Sequence, residues 1–219
     1  MKVTPLKLEV SETIGHVSAE LILPETPTAI VTLAHGAGAG MNHGFMLALT
    51  NALAENSIAS MRFNFPFTEQ KKKRPDFPAV AHKAIESALN KAHELLPDLP
   101  VFASGKSFGG RMSSQYLSKE NLDFVRGIIF FGFPLHPAGK PSVERGDHLK
   151  EVKIPMLFLQ GTRDALAELN LIEQVTASLE LAKLHLLEGA DHAFKSGKQN
   201  LIPTLAKETK DWIDLVLKK

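Results

Sequence analysis

Gly105-Lys106-Ser107-Phe108-Gly109 fits the pattern G-x-S-x-G, with an apolar run before it and a helical pattern after it. In that setting a serine stands on a sharp strand-to-helix turn, its hydroxyl exposed at the end of the strand. Such a turn is crowded, and glycines two positions either side of the serine let strand and helix approach closely. The Phe108 N–H then points outward at a helix N-terminus, where it suits a developing negative charge. The same stretch contains Gly-Lys-Ser, which could close a phosphate-binding loop. That loop needs a glycine five positions before Gly105, where this chain has Pro100, and Val101–Ala103 are too apolar to cradle phosphate. The nucleophile pattern is the one that is met.

A serine hydroxyl attacks poorly until a base removes its proton. In this architecture the partners are expected in the order serine, acid, histidine. Of the nine histidines, His148, His185 and His192 are the candidates after Ser107. His185 falls inside a strand pattern and His148 in a polar stretch before a later strand. His192, in "LLEGADHAFK", follows the last strand, where a loop could deliver it. The acid is expected after the preceding strand, which points to Asp164 in "IPMLFLQGTRD". An alternative for Asp164 is a helix N-cap. Asp191, adjoining His192, suits turn hydrogen bonding, and Asp147 is a weaker rival. A second amide for an oxyanion is expected from "LAHGAGAG", at Ala37 with Gly38 as the alternate. That glycine run lacks the G-x-G-x-x-G spacing of a dinucleotide loop, and no acidic residue closes the next strand, "RFNF".

The elements that must hold these residues alternate. Strand patterns at 3–9, 16–23, 28–36, 58–65, 100–104, 125–133, 154–161 and 183–189 are interleaved with helical patterns near 42–57, 79–96, 108–119, 165–180 and 200–218. The buried runs are continuous rather than alternating, as in strands covered on both faces. The expectation is one α/β domain over residues 1–219, with a mainly parallel sheet and helices on both faces. Ligands bind such sheets at the carboxyl ends of the strands.

Composition narrows the classes further. With 44% hydrophobic and 22% charged residues the chain has an ordinary globular balance. A net charge of +1 gives no overall field favouring nucleic acid or an anionic membrane. The absence of cysteine excludes disulfides and thiolate chemistry. No run resembles a signal peptide or a membrane span, so a soluble cytoplasmic protein is expected. Lys71, Lys72, Lys73 and Arg74 form one sharp basic run in a proline-bounded segment, read as a solvated loop or an attractor of anionic substrates.

Taken together, "HGAGAGMNHGFM", "MRFNFPF", "GKSFGGRM", "FFGFPLHPAGKP", "FLQGTRD" and "GADHAF" resemble the α/β-hydrolase superfamily over nearly the whole chain. The likeness is to its small lid-less intracellular members, related to dienelactone hydrolases and to testis-expressed hydrolase-like proteins. The resemblance implies the α/β-hydrolase fold without a cap domain and a Ser107–His192–Asp164 triad, with the Phe108 and Ala37 amides binding the oxyanion. Serine stands where dienelactone hydrolases proper have cysteine, so a dienelactone substrate is not implied. The expected activity is esterase-type hydrolysis of a small acyl substrate without metal or organic cofactor. Scaffold, acyltransferase and peptidase roles are the alternatives. About twenty residues separate Phe133 from Ile154, too few for a cap, so an open shallow pocket is expected, with His136 and Phe67 as candidate walls.

Overall fold

The computed structural model describes residues 1–218. Eight strands form one sheet: β1 (Lys2–Ser11), β2 (Gly15–Leu23), β3 (Ala29–Ala34), β4 (Ile58–Phe63), β5 (Val101–Lys106), β6 (Val125–Phe131), β7 (Met156–Gly161) and β8 (Ala182–Leu187). Their spatial order is β1-β2-β4-β3-β5-β6-β7-β8. The hairpin β1–β2 is antiparallel and joins β4 antiparallel, while β4 through β8 run parallel. A minor hairpin, β9 (Lys195–Ser196) with β10 (Gln199–Asn200), lies outside this sheet.

Central strands read as nearly unbroken apolar runs because almost every residue is buried, on one face or the other. In β6, Ile128 and Phe130 enter one core while Ile129 and Phe131 enter the second. β7 repeats the division, with Met156 and Phe158 against Leu157 and Leu159. This is the two-residue period of a strand, made invisible by hydrophobic cover on both sides. The helices supply that cover. α1 (Gly44–Glu55) and α6 (Ile202–Leu217) pack over one face, while α3 (Pro78–Leu95), α4 (Phe108–Leu117) and α5 (Leu169–Ala177) pack over the other. α3 buries Ala81, Ala84, Ile85, Ala88, Leu89 and Ala92, a stripe at helical spacing. Its small residues let the helix lie close to the sheet.

The connections differ from the sequence pattern in four places. The segment after β4 is not wholly a loop: Pro66–Glu69 forms a short helix, α2, begun by a proline that pre-sets its first turn. The link from β6 to β7 contains a 3-10 helix, Glu144–Glu151. The helix expected from 165 begins only at Leu169, because residues 164–168 form turns. The hairpin β9–β10 precedes the last helix.

β3 leads to β4 on one side, whereas β5 returns to the other side of β3 and the chain proceeds from there to β8. The loops leaving β3 and β5 therefore diverge, and a crevice opens between them at the carboxyl ends of the strands.

The packed rings beneath this end give a measurable expectation. Phe130 is fully buried, with ring centroids 4.4 Å from Phe158 and 5.2 Å from Phe133. Phe130→Ala should cost about 3–5 kcal/mol in urea unfolding. Phe77→Ala, at a side chain 84% exposed, should change stability by less than ~0.5 kcal/mol.

Candidate active site

Ser107 is the residue where β5 turns into α4, with φ 52° and ψ −116°. A side chain at that φ carries backbone strain of order 1–3 kcal/mol, held by the surrounding packing. The packing is close enough to explain both glycines of the motif. A Cβ on Gly105 would overlap the Gly110 amide, and one on Gly109 would overlap the Ala34 carbonyl. The Ser107 N–H bonds the Phe131 carbonyl at 3.2 Å, which ties the turn to β6.

His192 and Asp164 reach Ser107 from two other loops. His192 Nε2 lies 2.8 Å from Ser107 Oγ, and Nδ1 lies 2.7 Å from Asp164 Oδ2. A carboxylate only accepts, so the ring proton sits on Nδ1 and Nε2 is free to receive the serine proton. The Asp164 side chain is fully buried. Its Oδ2 also accepts from Gln160 Nε2 at 2.6 Å, and its Oδ1 accepts from the Leu166 N–H at 2.8 Å. Gln160 Oε1 in turn accepts from the Phe133 N–H at 2.8 Å. Through Gln160 the acid is thus anchored to the loop after β6 as well as to its own. The Leu166 bond closes a turn, and the cap position of α5 falls to Glu168, not Asp164.

The first turn after β3 is fixed by His35, also fully buried. Its Nε2 accepts from the Phe65 N–H at 3.1 Å, so its proton is on Nδ1, which donates to the Gly36 carbonyl at 2.8 Å. Two further side chains brace the same loop. Asn64 Oδ1 accepts from the Met41 N–H at 2.9 Å, and Thr68 donates to the Ala39 carbonyl at 3.3 Å. Gly36 packs against Ser107, and Gly36–Ala39 form one wall of a cleft of about 290 Å³. His43, Phe45, Met46, Leu166 and Ala193 complete the wall, and Lys106, Ser107 and His192 also face the cleft. Among the described residues no protein acceptor faces the N–H of Phe108 or Ala37. A larger hollow, about 490 Å³, lies beside Trp212 and Ile154 and touches none of these groups.

The other candidates lie elsewhere. His185 pairs with Glu208 at 3.1 Å between β8 and α6. His148 bonds Ser114 Oγ at 2.8 Å, and burial beside Arg111 pushes its imidazole down to about 4. Asp191 Oδ1 accepts from the Ala193 and Lys195 N–H groups at 2.8 and 2.9 Å, organising the turn that carries His192. Asp147 is exposed in the 3-10 helix. His136 and Phe67 are not cleft walls. His136 is buried, donating from Nδ1 to the Pro137 carbonyl and accepting at Nε2 from the Glu168 N–H at 3.0 Å. Phe67 packs against His35, Phe65 and Phe108. Lys71 through Arg74 are exposed and contribute nothing to the cleft lining. Gln160, His35 and Lys106 are participants to which the sequence patterns assign no role. Among the described residues no acidic, histidine or cysteine cluster is suited to a metal, and no helix is long and apolar enough to cross a membrane.

Residues 27–215 match the family described as Alpha/beta hydrolase domain, and the chain belongs to that family. Its structure is similar to a dienelactone hydrolase from Anabaena variabilis, with a TM-score of 0.76 and 18% identity, covering 98% of this chain and 97% of that one. It is likewise similar to a serine hydrolase without lid from Xanthomonas campestris, with a TM-score of 0.74 and 20% identity, covering 97% and 95%. In sequence it is 27% identical over 203 residues to a Mycobacterium tuberculosis protein named "Putative phosphoribosyl transferase". That match covers 90% of this chain and 43% of the relative, so the chain spans less than half of that relative's length.

Burial holds the His35 imidazole down to about 4, against 6.5 for the free group. The folded protein therefore binds fewer protons here than the unfolded chain between those values. Stability from this group is complete above pH 6.5 and is lost as pH falls towards 4, by ~3 kcal/mol. Urea midpoints across that range, with the His35 ring followed by NMR, should show falling stability and a ring neutral down to about pH 4.

Proposed function

We propose that this chain is a serine hydrolase of carboxylesterase type, cleaving small acyl esters through an acyl-enzyme. The observation that carries the reading is the continuous hydrogen-bonded chain from Ser107 Oγ through His192 to the buried carboxylate of Asp164. In the first half-reaction Ser107 Oγ attacks the ester carbonyl carbon as His192 Nε2 takes its proton. Asp164 holds the Nδ1–H tautomer and stabilises the imidazolium that forms. The Phe108 and Ala37 amides donate to the tetrahedral oxyanion, each worth about 3 kcal/mol. His192 then protonates the leaving alkoxide, and the C–O bond breaks. Water, deprotonated by the same nitrogen, attacks the acyl-enzyme carbonyl; the acyl C–Oγ bond breaks, His192 returns the proton to Ser107 Oγ, and the acid leaves.

The cleft favours short acyl groups. Its wall is largely apolar, its volume is about 290 Å³, and the link between β6 and β7 carries only a 3-10 helix above the sheet. No step calls for a metal or an organic cofactor. The partner in this reading is a small-molecule ester in the cytoplasm, with neither nucleic acid nor membrane required.

A fluorophosphonate serine-hydrolase probe tests the proposal directly. Wild type should be labelled and Ser107→Ala should not, with matching thermal stability. Labelling retained in Ser107→Ala, or folded wild type that never labels, would refute the reading and favour a scaffold role. Asp164→Asn should leave the fold intact and lower kcat on p-nitrophenyl acetate or butyrate by about 10⁴-fold, through the wrong imidazole tautomer.

A further inference from the structure

The turn that carries His192 has few main-chain hydrogen bonds to the rest of the protein. From Asp191 to Phe194 the main-chain hydrogen bonds are almost all local: Phe194 N–H to the Asp191 carbonyl, Asp191 N–H to the Lys195 carbonyl, and Ala193 N–H to the Asp191 side chain. Among the described residues, one main-chain group in that stretch bonds another element of the fold. It is the His192 carbonyl, which accepts from Lys106 Nζ at 2.6 Å. Lys106 is the residue immediately before the nucleophile, at the end of β5.

The same ammonium has two aromatic neighbours. It lies 5.2 Å from the Phe194 ring centroid and 5.9 Å from that of Phe45, within range of cation–π attraction. The two rings stack on each other at 5.8 Å and 15°. Phe194 has a φ of 60°, a conformation costly for a bulky side chain unless its surroundings enforce it. A Cβ on Gly132 would stand 3.1 Å from Nζ and 3.5 Å from His192 Nδ1, so a glycine leaves the room this contact needs.

We propose that Lys106 is a positioning residue, a latch whose ammonium holds the His192 turn in register with the nucleophile that follows it in sequence. The inference rests on the reading of His192 as the base. A lysine suits this place because its long stem crosses from the strand end to the turn while its charge strengthens one short bond to a carbonyl. The carboxylates of Asp164 and Asp191 favour that charge. Burial opposes it and brings the group down to about 8. Lys106 touches no reacting atom in this scheme; it acts through the histidine.

Lys106→Met keeps the length and apolar stem but removes the donor and the charge, so it tests the latch with little loss of packing. By hydrogen exchange, the amides of Ala193, Phe194 and Lys195 should exchange at least about tenfold faster in the variant, while those of β5 and α4 stay protected. Fluorophosphonate labelling of Ser107 should slow by about 10–100-fold, and kcat for p-nitrophenyl butyrate should fall by the same factor with KM nearly unchanged. Lys106→Arg, keeping donor and charge, should recover most of both. Unchanged exchange in the 193–195 turn of Lys106→Met would overturn the proposal, as would a loss that appears in KM alone. Wild type that never labels would instead remove the hydrolase reading, and the exchange comparison would still decide whether Lys106 holds the turn.

Discussion

The site depends on one steric constraint: strand β5 and helix α4 meet more closely than side chains permit. Gly105 against Gly110 and Gly109 against Ala34 leave no space for a methyl group, and Ser107 is forced into a left-handed backbone between them. That geometry places Ser107 at the cleft, with its Oγ 2.8 Å from His192 Nε2. The strain is sustained by a large, well-filled interior, in which Phe102, Phe130, Phe131 and Phe158 all lie fully buried.

The groups around Ser107 show a common economy. The loops after β3, β4, β6 and β7 are held by buried polar side chains that bond neighbouring loops. His35 ties the β3 loop to the β4 loop, Gln160 ties the acid to the loop after β6, and His136 ties that loop to the segment preceding α5. These side chains satisfy main-chain groups that would otherwise be orphaned where the strands end.

The residues legible in the sequence were those whose position along the chain nearly determines their place in space. Ser107, Asp164 and His192 each follow a strand closely, and parallel strands bring all such loops to one end of the sheet. The bracing residues were not legible. Whether Lys106 points to solvent or into the His192 turn depends on the geometry of a loop 86 residues away, which no local pattern encodes. Gln160 looks like an ordinary strand-end residue until the Phe133 amide is found opposite it. His136 and Phe67 were read outward as cleft walls but turn inward. For Phe67 the reason is α2, a helix of 4 residues, too short to show a period, which rolls the ring onto His35. The fold was read more fully because continuous burial on both faces leaves a strong hydrophobic record.

The crevice between the β3 and β5 loops has a further consequence. Its two sides rest on different foundations: α1, which carries the Phe45 and Met46 wall, belongs to the core beneath α6, whereas α4, behind Ser107, belongs to the core beneath α3. The sheet lies between them as a partition. Substitutions at Met46 can reshape the cleft wall while the α4 packing behind Ser107 stays untouched, whereas Phe45 also meets Lys106 and Phe194. Such a molecule can drift in what it accepts without surrendering how it reacts, and selection can explore the two properties separately.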